Sequence, residues 1–151
     1  MKHFTKTTVH LPLIAFFIIS MTALVGCGEK PVAPTQLPPE IQTFVQQTFP
    51  NQAITFAKKD RELFGSKYDV VLADGTQIDF NKDHFWDKVE SRMNPVPAAL
   101  IPAPIATYIN TNFPAVAIVK IDKERYGYEV ELANELELKF NEQGALMEMD
   151  D

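Results

Sequence analysis

Tyr68-Asp69-Val70-Val71-Leu72-Ala73-Asp74-Gly75-Thr76-Gln77-Ile78-Asp79-Phe80 is the stretch that decides the fold. Tyr68, Val70 and Leu72 point one way and Asp69 and Val71 the other, the period of a strand with one buried face. Asp74-Gly75 is a hairpin signal, and Ile78 and Phe80 continue the apolar face on the return strand. The stretch recurs farther along. Tyr128-Glu129-Val130-Glu131-Leu132-Ala133-Asn134 matches its first half and Phe140-Asn141 matches Phe80-Asn81, at an offset of 60 residues.

Upstream of each stretch lies a second matched segment. Pro38-Pro39-Glu40-Ile41-Gln42-Thr43-Phe44-Val45-Gln46-Gln47-Thr48-Phe49-Pro50 aligns with Pro102–Pro114 at an offset of 64. The difference places four extra residues in the first copy, around Glu62-Leu63-Phe64-Gly65. Ile41, Phe44, Val45 and Phe49 recur at helical spacing, as do Ile105, Tyr108, Ile109 and Phe113. Pro39 and Pro104 suit a first helical turn, and Pro50 and Pro114 end the helices because the residue before proline avoids the α region. Further strands are expected near Ile54–Lys58, Phe85–Glu90, Ile118–Ile121 and Ala145–Met149. The expected class is α+β, a tandem duplication of one helix plus about four antiparallel strands, with repeats at 37–90 and 101–151.

At this point the chain resembles a known family. Tyr68–Phe80, Gly127-Tyr-Glu-Val-Glu-Leu and the Ile-Pro-x-x-Ile-x-x-Tyr-Ile-x-x-x-Phe-Pro run at Ile101–Pro114 are similar to the PepSY-like lipoproteins, small secreted or periplasmic bacterial proteins. Their tandem repeats are related to the beta-lactamase-inhibitor-protein fold. The resemblance covers residues 37–151, and its motifs speak to fold more than to activity. It implies a non-catalytic binding module, with inhibition or regulation of a secreted or periplasmic enzyme as the role suggested for such proteins.

The N-terminus sets the compartment. Lys2 and Lys6 precede the apolar run Leu11–Ile19, which continues to Val25 and closes on Leu24-Val25-Gly26-Cys27. Basic residues before a short hydrophobic stretch make a secretory signal, and the closing residues resemble a bacterial lipobox. Residues 1–26 are therefore expected to be a lipoprotein signal peptide, with Cys27 lipidated and the membrane a partner through that anchor. Gly28 in place of Asp points to the outer membrane of a Gram-negative cell envelope, on the periplasmic or the surface face. Residues 27–36, rich in proline, are expected to form an extended tether, about ten residues at roughly 3.1 Å each.

Composition narrows the chemistry. Cys27 is the only cysteine, so the mature chain is expected to hold no disulfide, thiol nucleophile or thiolate-bound metal. Removing residues 1–26 takes away two lysines and no acid, leaving 12 basic residues against 20 acids, a net charge of −8. Such a surface repels phosphate backbones, which argues against nucleic acid as a partner. His84 is the one histidine left after processing, and it aligns with Gly144 at a tight turn, where a positive φ suits it. Neither a phosphate-binding glycine loop nor a paired metal-ligand histidine motif occurs, so no enzyme activity and no cofactor are expected.

Two sets of residues remain as candidate sites. Asp79, Asn81, Asp83, Asp87 and Glu90 stand at positions 1, 3, 5, 9 and 12 of a calcium-loop spacing, although His84 replaces the glycine that position 6 requires. A solvated turn is the competing reading. Glu129, Glu131 and Glu137 lie at alternating strand positions facing away from the apolar residues, where they form either a solvated face or a docking surface. Leu63 and Phe64, in the insertion, either fold back against the first helix or stand out for recognition. Trp86 aligns with Leu146, which makes core packing its expected role, with a partly exposed anchor at the sheet as the alternative. The expected partner is another envelope or secreted protein; a small-ligand or calcium-responsive periplasmic binding protein is the alternative.

Overall fold

The computed structural model describes residues 29–150; residues 1–26, expected to be a signal peptide, and Cys27 lie outside them. The strands β1 (Lys30–Pro31), β2 (Ile54–Glu62), β3 (Gly65–Leu72), β4 (Gln77–Phe80), β5 (Trp86–Glu90), β6 (Ile118–Glu124), β7 (Gly127–Leu132), β8 (Glu137–Asn141) and β9 (Leu146–Asp150) form one sheet in sequence order, antiparallel throughout. The helices α1 (Pro39–Thr48) and α2 (Ala103–Asn112) each precede four of these strands. The class is therefore mixed, with a large sheet and little helix. The two halves share one continuous sheet because β5 pairs with β6, Val89 opposite Ile121.

Local chemistry explains the element boundaries. Pro39 opens α1, and Pro104 is in the first turn of α2. Both helices stop one residue short of a pre-proline phenylalanine, Phe49 at φ −128° and Phe113 at φ −131°, outside the α region. The β3–β4 connection puts Gly75 at φ 83°, after a turn in which the Gly75 N–H donates to the Leu72 carbonyl at 3.0 Å. This is a type I turn followed by a left-handed residue, which matches the twist of the flanking strands.

Both helices pack on the same face of the sheet. Ile41 and Val45 of α1 and Ile105 and Ile109 of α2 are buried against Val70, Ile78, Val89, Ile121, Val130 and Leu138. The alternation in the sequence predicts this face, and Phe80 and Phe140 lie under the helices at 1% and 0% exposure. The remaining turns of chain also dock. Val96 and Leu100 are buried in the connection between β5 and α2, and the Val96 N–H donates to the Ile118 carbonyl.

The tether reading of residues 27–36 does not hold from Glu29 onward. Lys30 and Pro31 pair with β2, the Val32 N–H donates to the Ala57 carbonyl at 2.9 Å, and Glu29 bridges Lys58 at 2.9 Å. A 3-10 turn at Pro34–Gln36 then leads into Leu37, which is buried. Proline fixes φ without forbidding pairing at a sheet edge, where its missing N–H faces solvent.

Candidate functional site

The face of the sheet away from the helices carries no secondary structure of the described residues, and its side chains are mainly charged. Cross-strand register lines them up in rows. One row runs Lys58, Asp69, Asp79, Lys88, Asp122, Glu129, Lys139 and Glu148, one residue from each of β2 to β9. The next includes Val71, Gln77, Glu90, Lys120, Glu131 and Glu137. Opposite charges across strands stabilise a sheet and like charges directly opposite destabilise it, so the arrangement within each row matters.

Most of the charges are paired. Lys58 reaches Asp69 at 2.9 Å, Lys120 reaches Glu129 at 3.0 Å, Lys139 reaches Glu148 at 2.9 Å and Asp150 at 3.1 Å, and Glu90 takes both Arg92 and Lys88. Hydrogen bonds to Glu29 and then Asp69 raise the Lys58 ammonium above its usual range, and those to Glu148 and then Asp150 do the same for Lys139. Burial alone would lower Lys120, but Glu129 outweighs it and the net shift is upward. Asp79 and Asp122 are different: burial pushes both carboxyls up, assisted by Asp69 beside Asp79 and by Glu124 near Asp122.

The acidic set expected from the sequence therefore divides. Glu129 is neutralised by Lys120, with the Tyr126 hydroxyl also within 3.5 Å. Glu131 and Glu137 stand directly opposite one another across β7 and β8, with no ion pair among the described residues.

Leu63 and Phe64 do not pack against the first helix. They are 95% and 85% exposed at the tip of the β2–β3 hairpin. The four extra residues lengthen this hairpin by two rungs. Lys59 pairs with Tyr68 and Glu62 with Gly65 before the tip, whereas Lys123 pairs with Tyr128 and Glu124 with Gly127 directly. The second half thus has a tip of its own, Arg125-Tyr126, on a shorter hairpin.

Of the five calcium-loop residues, Asn81 and Asp87 touch, and the five do not converge as a ligand set. The Asn81 side-chain oxygen accepts from the Asp83 and Phe85 N–H groups, and its amide donates to Asp87. Asn141 caps the β8–β9 turn in the same way, through Gln143 and Ala145. Asp83 is bridged by Lys82, Glu90 by Arg92, and Asp79 faces out from β4 between Asp69 and Lys88. No group of three or more His, Cys, Asp or Glu side chains that could hold a metal occurs among the described residues. The spacing that suits a loop is spent here on a strand, an asparagine-capped turn and a second strand.

His84 does adopt the positive φ expected of it, 65° against 79° for Gly144. A feature that periodicity did not reveal lies beside it. A cleft of about 480 Å3 opens between α1 and the β4–β5 turn, lined by Phe44, Phe85 and Trp86 among others. Phe85, in the sequence only the start of an expected strand, is 69% exposed. Trp86 is half-buried at the core margin, and the Lys123 ammonium sits 3.4 Å from its ring centroid.

Comparison with known proteins places this architecture. A family described as "Putative beta-lactamase-inhibitor-like, PepSY-like" matches residues 23–64 and 66–148. A crystal structure from Bacteroides vulgatus, described as a "putative periplasmic protein" of the DUF2874 family, is 34% identical with a TM-score of 0.76, covering 82% of this chain and 97% of its own. A Bacteroides thetaiotaomicron structure described as a "putative calcium-regulated periplasmic protein" has the same identity, coverage and score. A further Bacteroides vulgatus structure, described as a "putative periplasmic protein of unknown function", is 30% identical, with a TM-score of 0.77 over 82% of this chain and 100% of its own. No curated protein matches the chain.

Proposed function

The chain belongs to the PepSY-like family, and on that premise we propose that it is a non-catalytic binding module of the Gram-negative envelope, docking another envelope or secreted protein on the open face of its sheet. One observation carries the reading. Glu131 and Glu137 face each other across adjacent strands of a helix-free face whose other charges are largely paired. Folding gains nothing from that juxtaposition. A basic partner relieves it, mainly by speeding association and making it salt-sensitive. Leu63 and Phe64, projecting at one margin, offer a desolvated contact of the kind that holds an interface together. Inhibition or regulation of a secreted or periplasmic enzyme is the role in which such a surface serves.

The same proposal extends to the chain's history and address. The halves match in element order, in bulges at Ile54/Phe56 and Ile118/Lys120, and in asparagine-capped turns, which supports descent from one duplicated unit. The lipobox at Cys27 and the glycine after it support a lipid anchor in the outer membrane, and the periplasmic description of similar structures supports the envelope.

Site-specific photo-crosslinking in intact envelopes tests the docking reading. A photoreactive residue at Glu131 should capture a partner that the same residue at Thr107, exposed on α2, does not. Capture should fall when Leu63 and Phe64 are both changed to serine. Equal capture from both positions would remove the open face from consideration. A calcium-responsive module is the competing reading, favoured by the name given to the Bacteroides thetaiotaomicron protein. Calorimetric titration separates the two, since a docking module takes up no calcium more tightly than about millimolar.

A further inference from the structure

We propose that the cleft between α1 and the β4–β5 turn is a second binding site, for a small arylalkylamine: a flat apolar body carrying one positive charge. It lies on the helix side of the sheet and is independent of the open face.

Comparison of the two halves carries the inference. Register and the matching asparagine caps place His84, Phe85 and Trp86 where the second half has Gly144, Ala145 and Leu146. Glu40 and Asp83 likewise stand where the second half has Pro104 and Gln143. In the second half this space is closed. Gly144 is buried, and a Cβ built on it would come within 2.7 Å of the Pro104 Cβ. In the first half a side chain occupies that position, and a cleft of about 480 Å3 opens, within the size range of small-ligand sites. The scaffold therefore folds without these larger groups, and what distinguishes the first copy is aromatic and acidic together.

Two of those groups carry a cost. Phe85 leaves most of its ring in water, and His84 holds a left-handed conformation for which its counterpart uses glycine. An occupant stacked on Phe85 removes the first cost. The ring faces of Phe44 and Phe85 attract a cation, while Lys123 already covers one face of Trp86 and fixes that ring. At the mouth, Asp83 is bridged by Lys82, but among the described residues Glu40 is bridged only by the His84 Nδ1, at 3.3 Å. An ammonium group at Glu40 with its ring between Phe85 and Trp86 satisfies both features; a carboxylate in the same place meets repulsion.

Trp86 is the only tryptophan of the chain, so its fluorescence reports on the cleft directly. The probes are phenethylamine, the neutral 2-phenylethanol and the anionic 3-phenylpropionate, each titrated at neutral pH into the domain spanning residues 29–151. Phenethylamine should give a saturable change, with the alcohol at least about fivefold weaker and phenylpropionate showing none. Glu40→Gln should bring the amine down to the alcohol's affinity, and Phe85→Ala should remove the response to both. Both side chains are exposed, so an unchanged thermal midpoint confirms that the variants are folded. Four results would each overturn the proposal: no saturation by the amine below about 10 mM; equal or tighter binding of the alcohol or the acid; indifference to Glu40→Gln; or amine binding that survives Phe85→Ala.

Discussion

Lys120 and Glu129 meet across the β6–β7 pair at 3.0 Å, with side chains only 15% and 20% exposed. A glutamate that alternation alone assigns to a solvated face is in fact half of a largely covered ion pair. Glu129→Ala should therefore destabilise the domain by about 1–2 kcal/mol, because it leaves the Lys120 ammonium covered and without its acceptor. Glu131→Ala, which removes one of two opposed carboxylates, should be neutral or slightly stabilising. Chemical denaturation of both variants decides the matter: equal effects would mean that the Lys120–Glu129 contact carries no energy.

Asp79 and Asp122 have carboxyl groups raised above the usual value of 3.8, chiefly by burial. The folded state binds their protons more tightly than the unfolded chain does, so their contribution is most favourable below pH 3.8 and is lost as pH rises through the folded value. Asp79→Asn and Asp122→Asn should accordingly raise stability at neutral pH, with the gain vanishing as pH falls below 3.8. Glu90 works in the opposite sense. Burial would raise it, but Arg92 and Lys88 hold it below its usual value, so Glu90→Gln should cost stability at neutral pH and little in acid. Thermal midpoints across pH for the three variants test both signs.

Phe80 and Phe140 each lie edge-on under a helical aromatic, Phe44 and Tyr108, with ring centroids 5.5 Å apart in both pairs. Truncation of either to alanine should cost about 3–5 kcal/mol. Leu63→Ser and Phe64→Ser should stay within about 0.5 kcal/mol, since neither side chain is packed. A large loss at the hairpin tip would place Leu63 and Phe64 in the core and withdraw them from recognition.

Gly127 opens β7 at φ 143°, and a Cβ there would overlap the Phe140 carbonyl oxygen and the Asn141 carbonyl carbon. Gly127→Ala combines a backbone conformation reserved for glycine with a clash against main chain that cannot turn aside, a cost of at least about 3 kcal/mol. A shift of the denaturation midpoint no larger than that of a typical surface variant would contradict the packing of β7 on β8.

Local signals in the chain account for the periodic part of this protein. Alternation at Tyr68–Leu72 and Tyr128–Leu132 placed Val70 and Val130 in the core, and the prolines at 39, 50, 104 and 114 bounded the helices, because both signals are local: a strand has two faces, and proline restricts its own neighbours. Tertiary structure alone decided what depends on residues distant in sequence. Lys120 and Glu129 are nine positions apart but meet only through strand register, which turned an apparent acidic face into rows of paired charge. The calcium spacing of Asp79–Glu90 dissolved because Asn81 caps its own turn. The cleft beside Trp86 lies between a helix and a turn where His84 stands in place of Gly144, a juxtaposition that no periodicity records.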